Sequence, residues 1–285
     1  MNIAELELSA IARVAGVNAP AGPALLNAKA GGPAPAAAPQ TQSLQTLWVQ
    51  TAEQLLQAQQ LRYRVFIEEM GATPPTPACA GSGLDCDAFD PFCEHLIVQT
   101  AASEHSPSQV VGTYRVLTPA AARRAGGLYS DTEFDLSRLQ PLRGRIAELG
   151  RSCVDPAWRQ GGVILMLWAA LADFMQRNGL DITVGCASVS MHDGGHSAAS
   201  LWHQLQRCHA APEPWSAQPH LPLPLLHLRS DLQVSPPSLI KGYLRCGGCV
   251  LGPPAWDPQF GTADLPMMLN LADMPAAYRR RFFAG

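Results

Sequence analysis

No stretch of this chain approaches the roughly 20 consecutive apolar residues that a membrane-spanning helix needs; its longest apolar run is Val163–Leu171. It also lacks a surplus of positive charge. With 20 Lys and Arg against 23 Asp and Glu, the formal net charge is -3, which gives no electrostatic footprint for nucleic acid. The N-terminus, MNIAELELSAIARVAGV, has neither a basic n-region nor a proper apolar h-region, so no secretory signal is expected and the cytoplasm is the default location. There is no internal repeat. The eight cysteines are scattered rather than set at framework spacings, and reduced thiols are expected. Cys246-Gly-Gly-Cys249 has no second pair at zinc-ribbon spacing, and Gly194 and Gly195 break any helix that would align His192 with His196, so no metal site is expected.

What is present suffices for a large soluble core, since 47% of the residues are hydrophobic. Residues 1–42 are rich in Ala, Pro and Gly and poor in large apolar side chains, and are read as a disordered tail. The folded domain is expected over 43–285. A strand from Leu44 leads to an amphipathic helix, Ala52 to Met70, that stops at Gly71. A Pro-, Gly- and Asp-rich loop, Ala72 to Pro91, precedes strands from His95 and Val110, and a short helix is expected over Asp131 to Leu139. Later come a strand DITVGCASV, a helix SAASLWHQLQRC, an edge strand LPLPLLHLR, a helix SLIKGYLRCGG, two strands in the region CVLGPPAWDPQ to ADLPMMLNL, and a terminal helix PAAYRRRFF. The pattern predicts one α/β domain with a mixed sheet.

The organising stretch is IAELGRSCVDPAWRQGGVILMLWAALADFM, Ile146 to Met175. A β-type run carrying Glu148, Arg151 and Cys153 breaks at Asp155-Pro156, passes through Arg159-Gln160-Gly161-Gly162 and enters an apolar helix. Unpaired N–H groups and the helix dipole make such a turn fit for one anionic group. The same residues serve an ordinary strand-to-helix turn, and the spacing alone does not separate the two. Arg159-x-x-Gly162-x-Ile164 resembles the pyrophosphate loop of GNAT acyltransferases, with isoleucine where that loop ends in a small residue. The larger side chain disfavours coenzyme A and leaves room for the single phosphate of a carrier-bound phosphopantetheine.

Taken singly, the charges along the chain read as solvated or paired. Together, Arg62-x-x-x-Phe66, Asp87-x-x-Asp90, Gly112-Thr-Tyr-Arg115, Phe134 and Glu148-x-x-Arg151 resemble the signature of acyl-homoserine-lactone synthases, a branch of the GNAT fold. The segments YRVFIEEMGA, FDPFCEHLIV, VVGTYRVL, ELGRSCVDPAWR, GCASVSM, PPSLIKGYLRCGG and PAWDPQFGTADLPMML resemble more closely the ornithine-lipid N-acyltransferases, also called haemolysin-like, from about Leu44 to the C-terminus.

That resemblance implies a mostly antiparallel sheet flanked by helices and transfer of a 3-hydroxyacyl group from acyl carrier protein to the α-amine of L-ornithine. No cofactor is implied beyond the 4'-phosphopantetheine of the donor. Glu148 and Arg151 are expected at the reacting centre, with Glu148 as base. Arg62, Phe66, Asp87, Asp90, Arg115 and Phe134 are expected around the substrate, the aspartates on its side-chain ammonium and Arg115 or Arg151 on its carboxylate. Arg159, Gln160, Gly161 and Gly162 are expected at the phosphopantetheine. Cys153 is a competing nucleophile without a histidine partner nearby in sequence. A lactone-forming synthase and a non-catalytic lipid- or carrier-binding protein are the alternative readings. For the latter, Tyr278-Arg-Arg-Arg-Phe-Phe283 is a candidate contact with a membrane face, and equally a terminal helix packed on the core.

Overall fold

The computed structural model describes residues 43–74, 81–103, 106–160 and 162–283, so the expected tail 1–42 lies outside it, as does Gly161. The sheet begins with β1 (Leu44–Trp48), and α1 (Ala52–Arg62) follows behind a capping box in which Thr51 and Gln54 satisfy each other's backbone N–H groups. The expected helix to Met70 is present, but its last turns, Tyr63–Glu69, widen to π-type before Gly71. Then come β2 (Glu94–Thr100), β3 (Val110–Leu117), α2 (Pro119–Ala125), β4 (Phe134–Asp135) and β5 (Ile146–Val154). The second half comprises α3 (Val163–Arg177), β6 (Ile182–Ser190), α4 (His196–Cys208), β7 (Gln218–Pro219), α5 (Ser238–Arg245), β8 (Cys249–Val250), β9 (Ala255–Asp257), β10 (Thr262–Asn270) and α6 (Ala276–Phe283).

The main sheet runs β1-β2-β3-β5-β6-β10-β8, with β9 beside β10. Its described pairings are antiparallel except β5 with β6. This is the mixed, mostly antiparallel sheet that the pattern implied. Strand β3 is buried at every position because α1 covers one face and α3 the other. Val163, Leu167, Leu171 and Phe174 of α3, one apolar stripe at helical spacing, pack on Leu96, Val98, Tyr114 and Val116.

Two expectations are corrected. Asp131 to Leu139 is not a helix: a 3-10 turn Tyr129–Thr132 leads into β4, which pairs with β7, and 3-10 turns follow over Ser137–Arg145. LPLPLLHLR is not a strand, because Pro222 and Pro224 remove the ladder donors; a 3-10 turn Leu225–His227 stands there instead. The terminal helix packs inward, Tyr278 and Phe282 lying with Trp168, Cys246, Leu269 and Met274 while Arg280 and Arg281 stay exposed.

The feature that makes a site is the parallel junction. β5 and β6 pair at only three positions, Ile146–Ile182, Ala147–Thr183 and Glu148–Val184, and then diverge. Beyond Glu148, β5 keeps β3 as its partner and β6 keeps β10, so a wedge opens between them. Gly185 marks the apex: a Cβ there would stand 2.4 Å from the carbonyl oxygen of Leu149, which belongs to the backbone and cannot rotate away. Gly185→Ala is therefore expected to destabilise the fold by about 1–3 kcal/mol through forced separation of the two strands. Urea unfolding measures this, and a variant as stable as the parent shows that the junction yields freely.

Candidate active site

Three arginines and three aspartates close into one ring beside the wedge. Arg62 on α1 gives Nε to Asp85 at 2.8 Å and Nη2 to Asp90 at 2.6 Å. Asp90 passes to Arg115 on β3 at 2.8 Å, Arg115 to Asp87 at 2.6 Å, and Asp87 to Arg151 on β5 at 3.0 Å. The circuit returns to Asp85, 3.3 Å from Arg151 Nε. Its charges sum to zero (3 − 3), and every acid stands between two cations. Burial opposes ionisation of Asp90, but the guanidinium groups of Arg62 and Arg115 prevail and hold its carboxyl well below the usual range; Arg115 and Arg151 do the same for Asp87. The ring ties the loop ahead of β2 to the helix and to the central strands.

A bulge delivers Arg151 to it. Arg115 faces Gly150 and Thr113 faces Cys153, so Arg151 and Ser152 together oppose Tyr114. Among the described residues Arg151 is the one non-glycine residue with positive φ, 50°. Its guanidinium then lies against the rings of Tyr129, 5.1 Å, and Phe260, 4.9 Å.

Beside the ring lies a cavity of about 520 Å³, within the usual range of small-molecule sites. Phe66, Arg115, Glu148, Arg151 and Arg159 line it, as do Tyr129 and Tyr243. Four of the residues expected around the substrate lie outside the cavity lining. Arg62 and Asp90 are spent inside the ring and do not line the cavity, and Phe134 is buried in the core among Leu117, Leu128 and Leu139. Asp87 likewise stands outside the lining, both its carboxylate oxygens accepting from arginines.

Glu148 is 4% exposed and clamps the turn after α2. Its Oε1 accepts from Ser130 N at 2.6 Å and Ser130 Oγ at 2.5 Å, and Oε2 from Tyr129 N at 2.6 Å. Three of its four acceptor positions are filled, and burial raises its pKa against the pull of those donors. The turn after β5, where the phosphopantetheine was expected, is half committed. Arg159 holds Glu69 bidentately at 2.7 Å, in an exposed pair that a phosphate can displace, while Gly162 takes φ 78° to start α3 and Gln160 is exposed. Burial raises the Cys153 thiol to about 12, which leaves no thiolate for an acyl-enzyme.

At the polar end of the cavity, which Asp257 and Asp264 line, stand acids that sequence reasoning missed. Glu133, ahead of β4, and Asp264, mid-β10, lie with Cys186 of β6 so that their ligand atoms are within 4.8 Å of one another. Asp257, at the end of β9, adjoins them. Both oxygens of Glu133 are buried and neither has a well-formed hydrogen bond, the Tyr129 hydroxyl and the Cys186 thiol being the donors nearest them. Burial, then repulsion by Asp264 and Asp257, lifts Glu133 to about 8; burial lifts Asp264 to about 6. One signal was available: an aspartate inside the otherwise apolar strand ADLPMMLNL.

Two outcomes follow. Asp90→Ala leaves two buried guanidinium groups facing one acid fewer, and urea unfolding is expected to show a loss of about 3–5 kcal/mol. Glu133 behaves oppositely. Between its ordinary value of 4.5 and its folded value of about 8, the folded chain keeps a proton that the unfolded chain releases, so rising pH withdraws stability through that window. In thermal melts Glu133→Gln is expected to match the parent near about pH 5 and exceed it near about pH 8. A parent whose midpoint exceeds the variant's at the higher pH contradicts this assignment.

Residues 61–169 match the acetyltransferase (GNAT) domain family. The chain is 35% identical over 238 residues to the L-ornithine N(alpha)-acyltransferase of Brucella abortus (strain 2308), covering 78% of this chain and 82% of that one. It is 32% identical over 247 residues to the enzyme of the same name from Rhizobium meliloti (strain 1021), covering 83% of each. Among solved structures, the AHL synthase LasI is similar over 86% of this chain and 96% of its own, at 15% identity and a TM-score of 0.49. With a GNAT domain at its centre and relatives alike over most of its length, the chain is an acyltransferase and belongs to the L-ornithine N(alpha)-acyltransferase family.

Proposed function

We propose that this enzyme joins a 3-hydroxyacyl group, carried as the thioester of acyl carrier protein, to the α-amine of L-ornithine, giving lyso-ornithine lipid as the first step of ornithine-lipid synthesis. The observation that carries the reading is the wedge. A 520 Å³ cavity opens onto the edge of β5 beyond Glu148, where the backbone has no strand partner on the β6 side. A phosphopantetheine arm has amides that can pair with such an edge as an added strand would. Peptide N–H groups there can also donate to the thioester oxygen as it becomes an oxyanion. Val65, Phe66, Met70 and Leu239 give the acyl chain an apolar wall.

The amine attacks the thioester carbon, the C–N bond forms and the C–S bond breaks. The proton leaving nitrogen passes to Glu148 through its remaining acceptor position, directly or by a water, and then to the departing thiolate. Burial, which raises the proton affinity of Glu148, suits it to that step. Arg115 makes both its ring contacts through Nη1, which leaves Nε and Nη2 for the ornithine carboxylate. Ile164 beside the turn favours the single phosphate of a carrier over the diphosphate of coenzyme A. No helix among the described residues is long and apolar enough to cross a membrane. Work at the cytoplasmic membrane face would rest on the exposed Arg280 and Arg281.

The test compares one 3-hydroxyacyl group on acyl carrier protein and on coenzyme A, with ornithine as acceptor. The carrier thioester is expected to show a kcat/KM at least about a hundredfold higher, and mass spectrometry of lipids from a host expressing the chain alone should reveal a new acyl-ornithine. Equal use of the two donors removes the carrier from the reading, and no acyl-ornithine removes the acceptor.

A further inference from the structure

The acids gathered at the polar end of the cavity, Asp264 buried and Glu133 and Asp257 half-buried, are not used by the transfer chemistry. The arginines that line the cavity are engaged elsewhere: Arg115 and Arg151 in the ring, Arg159 with Glu69 at 2.7 Å. Both oxygens of Glu133 are buried without a well-formed hydrogen bond, their nearest donors being the neutral Tyr129 hydroxyl and Cys186 thiol. Asp264 is 4% exposed and receives Thr262 Oγ1 at 2.8 Å. Asp257 accepts the N–H groups of Gln259 and Phe260. Three carboxyl groups drawn from three separate segments, Asp257 and Asp264 lining the cavity and Glu133 grouped with Asp264 and Cys186 beside it, lack a paired cation and form a site whose complement is a positive charge.

We propose that Glu133, Asp257 and Asp264 form the subsite that holds the side-chain ammonium of a diamino-acid acceptor. The proposal rests on the acyl-transfer reading of this cavity. Its consequence is regiochemistry as well as selectivity. An ornithine carries two amines, of which the side-chain one has the higher pKa. An ammonium held by two or three carboxylates keeps its proton and cannot attack a thioester, whereas the α-amine, lying toward Glu148 and β5, can be freed. A neutral amino acid of the same length leaves the acids uncompensated and is disfavoured. In the empty site Glu133 and Asp264 retain protons more readily than ordinary carboxyl groups. Entry of an ammonium reverses the balance, and a proton passes from the acid pair to the buffer while the ligand keeps its own charge.

The test is isothermal titration of the full chain, dialysed against EDTA, with L-ornithine and with L-norvaline, the same skeleton without the side-chain amine. Ornithine is expected to bind at least about tenfold more tightly, with a heat that changes with the ionisation enthalpy of the buffer. In Glu133→Gln and Asp264→Asn that preference is expected to shrink to within about twofold, with norvaline affinity unchanged. If a variant fails to fold, the comparison of the two ligands on the parent chain decides alone. Norvaline binding as tightly as ornithine, or folded variants that keep the preference, overturns the proposal. So does a requirement for added zinc chloride, which would make the group of Glu133, Cys186 and Asp264 a metal site. Ornithine that binds as expected but is acylated from neither donor leaves the subsite standing and defeats the transfer reading. Equal acylation of ornithine and norvaline does the reverse.

Discussion

Six ionised side chains that neutralise one another away from water constrain almost everything else in this molecule. A buried guanidinium without its acid, or an acid without its guanidinium, is costly, so the ring of Arg62, Asp90, Arg115, Asp87, Arg151 and Asp85 favours only arrangements in which all six arrive together. They come from α1, the loop before β2, β3 and β5. Packing of the helix on the sheet, the path of the loop and the bulge at Arg151 are consequently coupled. The left-handed backbone of Arg151, unfavourable by itself, is supported by two aromatic faces and two acids.

Because the ring is internally neutral, it contributes structure to the cavity without imposing a net charge there. The cavity's electrostatic character is left to groups outside the ring. Glu148 fixes Tyr129, and Tyr129 in turn lies against Arg151 and, edge-on, against Phe89. A single carboxylate on the central strand thereby holds in place the turn that leads on to Glu133. The wedge and the acidic end are thus joined through one hydrogen-bonded turn.

The sequence made the central frame legible because its signals are local. The apolar stripe of α3, the helix that starts at Ala52 and the break at Asp155-Pro156 each lie within a few residues, and each stands where the sequence pattern placed it. The charged motif was legible as a set of residue types, but not as a closed circuit. Asp85 escaped because nothing in spacing separates it from its neighbours Asp87 and Asp90, and Phe134 matched a motif while its side chain was needed in the core. The acidic trio was invisible for a different reason. Glu133 lies far in sequence from Asp257 and Asp264, and the long crossover through β6 that brings them together has no local signature. Proline in LPLPLLHLR outweighed an apolar pattern that otherwise read as a strand.

The divergence of β5 from β6 gives these placements a common logic. A sheet that stayed paired through this point would bury its peptide groups in the ladder and leave no edge for a ligand; a sheet that separated too early would lose the core beneath it. Three parallel pairs, ending at Glu148 and Val184, reconcile the two demands. The last paired residue on β5 is the carboxylate that clamps the turn, and the next on β6 is the glycine that lets Leu149 approach. From Glu148 onward one strand turns its backbone to the cavity, and from Cys186 onward the other carries the cavity toward Asp264. Acyl transfer to an amine requires a polarised carbonyl, a proton acceptor and an amine held in one orientation. The opening of the wedge exposes an unpaired edge of β5 beside Glu148, with the neutral ring adjoining it and Asp257 and Asp264 on the lining of the same cavity.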